Sequence, residues 1–138
     1  MNRSHALRRL GAIASVAAAC LAVHRAEAAP EAKVAPLMNK DLADLPGKEG
    51  LMITVDYPPG AVDPIHRHNA HAFLYVLEGS IVMGVRGGKE VTLTAGQTFY
   101  EGPTDVHTVG RNASKTKPAK FVVFLVKDKG APVLIPTN

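Results

Sequence analysis

From Leu51 to the C-terminus the chain never carries an apolar run past the length of one strand before glycine or proline interrupts it. The runs are "LMITVDY", "AFLYVLE", "SIVMGVR", "KEVTLT", "QTFYE", "DVHTV", "KFVVFLV" and "PVLIP", rich in β-branched and aromatic residues. Between them stand "PPG", "EGS", "RGGK", "AGQ", "EGPTD", "GRNASKTKPA" and "KDKGA". Short strands at this spacing, without helical periodicity, predict an all-β sandwich or barrel. "RGGK" is a hairpin signal, because both central glycines can adopt positive φ. "FVVFLV" at 121–126 reads as a strand covered on both faces. No internal repeat appears.

The N-terminus belongs to a different kind of segment. Arg3, Arg8 and Arg9 give it a basic start, and from Leu10 to Val23 it is nearly uncharged and rich in Ala, Val and Leu. "AEAAP" follows, with Ala26 and Ala28 in the small-residue arrangement of a cleavage site. Residues 1–28 therefore read as a secretory signal peptide cut after Ala28, since the apolar stretch is short for a bilayer span. The paired arginines in "ALRRLGA" also suggest twin-arginine export, but the flanking residues favour the general secretory route. "AAAC" ending at Cys20 resembles a lipoprotein site. Ala17 stands where a larger aliphatic residue is usual, so Cys20 reads as part of the apolar segment. The expected destination is the periplasm or the exterior.

Removing that segment leaves 110 residues, one domain's worth. Residues 29–49 are polar and Pro-bearing, an N-terminal arm allowing a short helical turn or an extended course, and 50–138 form the β-domain. Arg3, Arg8, Arg9, Arg25 and Glu27 leave with the signal, so the 16 basic and 12 acidic residues of the whole chain become 12 and 11. So balanced a charge gives no reason to expect nucleic acid. The mature chain has no cysteine and no stretch able to span a membrane stably. Its stability must come from core, assembly or bound metal.

"PIHRHNAHAFLYVLEGS" at 64–80 holds three of the four mature histidines. On a strand, residues i and i+2 share a face, so His66 and His68 project together, away from Arg67. Such a pair offers two nitrogens to one metal ion. His107, in "GPTDVHTV", opens another predicted strand and supplies a third nitrogen if the two strands are neighbours. Ordinary hydrogen-bonded histidines are the alternative at this point.

"PGAVDPIHRHNAHAFLYVLEGS" and "AGQTFYEGPTDVHTVGRN" together resemble the two motifs of the cupin superfamily, a small β-barrel or jelly roll. Gly60, His66, His68 and Gly79 match the first motif's spacing, and Gly96 and His107 match the second. Pro103 and Gly102 are displaced, and Asn112 comes one residue late. The resemblance covers about residues 50–127 and implies His66, His68 and His107 as ligands of a divalent ion, with Fe, Mn, Zn, Ni and Cu not distinguished. Where the first motif carries its glutamate, this chain has Ala72. A neutral three-His site would then keep the full divalent charge, suiting an anionic or bidentate substrate. It also lacks a carboxylate able to act as base. Glu101, Tyr100 and His71 are the candidates to stand in for it, as a further ligand or as the base, although strict alternation turns His71 away from the face of Ala72 unless a bulge shifts its parity.

The resemblance implies an exported metal-binding cupin, either a three-His non-haem dioxygenase acting on a small oxygen-bearing organic substrate or a metal-dependent isomerase or decarboxylase. The other class is a non-catalytic barrel that holds a metal or small ligand, since fold alone does not decide function. Phe73, Tyr75 and Leu77 read as core or dimer interface, Phe99 and Met83 as barrel filling. A homodimer formed through an edge sheet is expected, because an exposed edge in so small a chain needs covering.

Overall fold

The computed structural model describes residues 28–138, so Cys20 and all but the last residue of the expected signal peptide lie outside the described residues. Ten strands follow in order: β1 (Lys33–Asp41), β2 (Lys48–Tyr57), β3 (His66–Arg67), β4 (Ala70–Glu78), β5 (Ser80–Val85), β6 (Val91–Thr94), β7 (Thr98–Glu101), β8 (His107–Asn112), β9 (Ala119–Asp128) and β10 (Ile135–Pro136). They form two five-stranded antiparallel sheets, β1-β2-β9-β4-β7 and β10-β3-β8-β5-β6. The chain is all-β, as expected, and each of the eight quoted runs becomes a strand. Among the described residues no helix is long and apolar enough to cross a membrane.

β1 is the element the sequence left open. Residues 33–41 take the extended course and pair with β2, from Lys33 opposite Asp56 to Asp41 opposite Glu49, with an irregularity between Pro36 and Met38. Pro36 has no N–H to give, and an edge strand is where that omission is tolerated. The hairpin between β5 and β6 differs from its two-glycine expectation. Its turn is closed by Gly88 N–H to Val85 O at 2.9 Å, and of its two glycines only Gly87 uses positive φ, at 80°.

Alternation decides the core. On β9, Phe121, Val123 and Leu125 point inward and are buried, whereas Val122, Phe124 and Val126 on the outer face are only half-covered. On β4, Ala70, Ala72, Leu74 and Val76 point inward, leaving Phe73, Tyr75 and Leu77 outside and exposed. Ile53, Val55 and Tyr57 from β2, with Ile81 and Met83 from β5, complete the packing. Each such aliphatic or aromatic side chain contributes about 1.5–3 kcal/mol by leaving water. The inward row of β9 ends on Lys127, whose ammonium donates to Glu49 directly across on β2 and to Ala131 O at 2.6 Å.

A chain that alternates between two sheets needs sharp corners. Gly79 makes the one between β4 and β5 at φ 72°, where an added Cβ would stand 2.5 Å from Pro118 O. The corner between β3 and β4 is turned by Asn69 at φ 47°, a left-handed conformation that asparagine tolerates better than most residues.

Candidate metal centre

Strand pairing brings together histidines that are far apart in the chain. His66 on β3 is the Cα partner of His107 on β8, and directly opposed residues present their side chains on one face. His68 lies just beyond β3, so the continuous strand expected to carry both members of the H-x-H pair is shortened to two residues. The corner at Asn69 sets in immediately after it. The imidazoles converge nonetheless. His66 Nε2 lies 3.3 Å from His68 Nε2 and 3.4 Å from His107 Nδ1. Donors that share one ion at about 2.0–2.1 Å stand roughly 3.0–3.4 Å apart, so this spacing fits a single divalent ion.

The protonation states sharpen the point. His66 Nδ1 donates to Pro64 O at 2.7 Å, and His68 Nδ1 donates to Val133 O at 2.6 Å. A carbonyl can only accept, so each Nδ1 carries the hydrogen and each Nε2 of the neutral ring is a bare lone pair. Two bare lone pairs 3.3 Å apart repel unless a cation lies between them. A proton is a poor candidate for that cation. Burial lowers the pKa of both rings, against the opposing pull of their carbonyl partners. His107 is pushed down to about 4, by burial first and then by His66 and His68.

A carboxylate stands beside the cluster. Glu101 is buried at the end of β7, with Oε2 3.5 Å from His68 Nε2 and Oε1 3.7 Å from His107 Nδ1. Its Oε2 has no hydrogen-bond partner among the described residues. Burial, reinforced by Asp105 and Asp63, raises its pKa to about 7. The other two candidates for the acid–base role lie elsewhere. His71 and Tyr100 point outward, exposed, and hydrogen-bond to each other at 2.7 Å. Alternation is the reason: Ala72 and Glu101 take the inward positions of β4 and β7, so their neighbours 71 and 100 cannot.

The histidines open onto a cavity of about 470 Å³, walled by Ile53, Val55, Leu74, Met83, Phe121 and Val123. Phe99 is not part of that wall and packs against the core instead. Glu31, Ala32 and Val34 reach the wall from one end of the described chain, and Val133 and Leu134 from the other. Its polar lining includes Tyr57 and Asp63, where the buried Tyr57 hydroxyl donates to the carboxylate. Burial raises both pKa values, and the neighbouring carboxylate raises that of Tyr57 further. Among the described residues no Lys or Arg lines the cavity. The anionic substrate expected from a three-His site would therefore meet Asp63 and Glu101 with no side-chain cation to receive it.

Sequence reasoning missed the Tyr57–Asp63 pair and Gly110. A Cβ on Gly110 would stand 2.8 Å from Asp63 Oδ2, 2.9 Å from His107 Cε1 and 3.1 Å from Tyr57 OH. Gly110→Ala is expected to tilt the His107 ring and weaken metal binding about 10- to 100-fold, the range seen when a ligand's support is lost. Chelator competition measures it, and unchanged affinity would contradict this packing role.

A β-bulge explains the late asparagine. His107 faces Val85 and Val109 faces Gly84, so Thr108 is an extra residue in β8. The extra residue flips the parity, and His107, Gly110 and Asn112 all end up buried. One more residue between His107 and Asn112 is thus absorbed without turning the asparagine out.

The titrations set the acid response of the metal-free protein. Three imidazoles have lowered folded pKa values, so the unfolded chain binds more protons at mildly acidic pH. Their stabilisation is present above about 6.5 and is lost as pH falls through their lowered folded values, about 4 for His107. Glu101 works the other way. Its raised pKa stabilises below about 4.5, and that contribution is lost as pH rises through about 7. Asp63, also raised by burial, acts in the same sense as Glu101, but three imidazoles outweigh two carboxyls, so the melting temperature of chelator-treated protein is expected to fall between pH 6.5 and pH 4.5. A flat profile by calorimetry would contradict the burial of the cluster.

The architecture and the cluster define a double-sheet β-barrel with histidines converging in its interior. The family model for the cupin domain matches residues 53–125, and the chain belongs to that family. No curated protein matches it. Among solved structures it is similar to an uncharacterized conserved protein with a double-stranded β-helix domain from Klebsiella pneumoniae, at 17% identity and TM-score 0.62, covering 81% of this chain and 90% of that one. It is also similar to the DMSP lyase DddQ from Ruegeria pomeroyi, at 20% identity and TM-score 0.57, covering 64% of this chain and 43% of the lyase. An oxalate oxidase in complex with the substrate analogue glycolate is 26% identical, with TM-score 0.56, covering 75% of this chain and 54% of the oxidase. The chain thus spans about half, or less, of the two enzymes it resembles.

Proposed function

We propose that this protein is an exported cupin that holds one divalent first-row metal ion on His66, His68 and His107 and presents it to a small organic ligand in the adjoining cavity. The observation that carries this reading is the pair of bare Nε2 atoms on His66 and His68, 3.3 Å apart and each fixed by a backbone carbonyl behind it. An ion held there supplies Lewis acidity and, if redox-active, access to dioxygen chemistry. The cavity favours an enzyme over a pure metal store, because storage does not call for 470 Å³ of mostly apolar space beside the ion.

The acidic and apolar lining favours a neutral substrate with one or two oxygen donors, such as a diketone or catechol. The likeness to an oxalate oxidase supports oxygen-dependent chemistry. The missing lysine or arginine in the wall argues against a small dianion as its substrate. Elemental analysis of the mature protein tests the metal, and absence of any bound or bindable first-row metal would reject the reading. Oxygen uptake against diketones, catechols, thiols and oxalate tests turnover. Consumption with a neutral diketone or catechol and none with oxalate is expected. Ligand binding without turnover would favour the non-catalytic alternative, and oxygen-independent loss of carbon dioxide or isomerisation would reject the oxygenase.

Export rests on the N-terminal segment. N-terminal sequencing of protein recovered from the periplasm or medium should begin at Ala29. Homodimerisation is supported by the outer face of β4 and β7, where Phe73, Tyr75, Leu77 and Tyr100 are exposed side by side. Sedimentation at micromolar concentration should give twice the monomer mass.

A further inference from the structure

We propose that Glu101 is a metal ligand, and that the carboxylate expected at position 72 has moved across the sheet to the neighbouring strand. The inference rests on the metal reading above and adds a ligand to it.

Ala72 on β4 and Glu101 on β7 are direct Cα partners. Opposed residues of an antiparallel pair face the same side with Cβ atoms only about 4.5–5.5 Å apart. A glutamate at 101 therefore reaches the volume that a glutamate at 72 would reach, approaching from one strand over. The small side chain at 72 belongs to the same exchange. Ala72 is buried, 2% exposed, and its methyl group leaves that volume to the neighbour. Two glutamates there would compete for one position, and a larger apolar residue would block it.

The carboxylate is also placed as a ligand would be. Each oxygen faces a different imidazole, Oε2 towards His68 at 3.5 Å and Oε1 towards His107 at 3.7 Å. These distances lie a few tenths of an ångström beyond the roughly 3.0–3.4 Å of donors on one small ion. Among the described residues no backbone N–H or hydroxyl donates to Oε2. A carboxylate buried without a donor is costly, and the natural compensation is a cation. Among the described residues the usual substitutes are absent, since the Tyr57 hydroxyl is engaged by Asp63 and the cavity wall holds no lysine or arginine. The centre is then three neutral imidazoles and one carboxylate, and a bound dication keeps a net single positive charge. Its donor set is complete even though the first motif lacks its glutamate.

The test uses the full mature chain and its metal-free melting curve as a control for folding. Zinc and cobalt(II) affinities are measured by chelator competition for the wild type, Glu101→Gln, Glu101→Ala, Ala72→Glu/Glu101→Ala and His107→Ala. Glu101→Gln keeps shape and removes charge, and it should lower affinity at least about 100-fold and change the visible absorption of the cobalt(II) form. The exchange variant, with the carboxylate on 72 and the methyl on 101, should recover affinity to within about 10-fold of the wild type. Wild-type binding with Glu101→Gln and Glu101→Ala both within threefold, and an unchanged cobalt spectrum, would overturn the inference while leaving the three-His centre standing. Loss in Glu101→Ala that Ala72→Glu does not repair would overturn the equivalence of the two positions. A wild type that binds no metal sinks the function reading itself, which His107→Ala would then match.

Discussion

His107→Ala protein is expected to lose at least about 100-fold in affinity for zinc or cobalt(II), because removing a direct ligand exceeds the 10- to 100-fold cost of removing only a ligand's support. The effect should appear in stability as well as in binding. An ion at 100 times its dissociation constant stabilises the folded state by about 2.7 kcal/mol. For a domain of this size that raises the melting temperature by roughly 10 °C. The wild type should show that rise when metal is added to chelated protein, and His107→Ala should not at the same metal concentration. Metal-free His107→Ala should melt no lower than the metal-free wild type at pH 5, because it removes a buried imidazole whose pKa has been driven to about 4. An equal metal-induced rise in both proteins, followed by calorimetry, would show that the third nitrogen does not belong to the site.

The second large effect concerns Asn112, which touches none of the three histidines. Its Nδ2 lies within hydrogen-bond distance of Tyr57 O at 3.2 Å, Pro58 O at 3.0 Å and Lys117 O at 2.8 Å, and Oδ1 accepts from Ser114 N–H at 2.8 Å. It thereby ties the end of β2 to the loop that precedes β9. Asn112→Ala strands these groups, and each buried polar group left unmet costs about 1–3 kcal/mol. A total loss of about 2–5 kcal/mol is expected, with a melting temperature at least about 8 °C lower on the scale of about 4–8 °C per kcal/mol. Asn112→Asp should be no better, since it aims a carboxylate at three carbonyl oxygens. The fraction that folds should bind metal as the wild type does. Melting curves paired with chelator competition separate this structural role from a role in the site, and a variant of wild-type stability would contradict it.

How far the sequence reaches is clearest at particular residues. Eight strands were legible because apolar alternation with glycine and proline breaks is a local property, and local properties survive folding. β1 was not, because "KVAPLMNKD" has no clean alternation and contains proline. Its strand state comes from pairing with β2, a contact no short window contains. The outward direction of His71 followed from parity on β4. The two-residue length of β3 did not, since the break after Arg67 comes from the corner into the other sheet. The Thr108 bulge and the Tyr57–Asp63 pair likewise depend on partners distant in the chain.

The centre divides in the same way. Sequence alone determined that the chain is a β-barrel of this family and that positions 66, 68 and 107 carry imidazoles, because motif spacing is written along the chain. It also exposed the missing carboxylate at Ala72. Only the tertiary structure decided where a carboxylate would be found instead, since Ala72 and Glu101 are neighbours through register alone. Register is set by the packing of whole inward rows, and a shift by one residue would have turned Glu101 out to water and Tyr100 into the core.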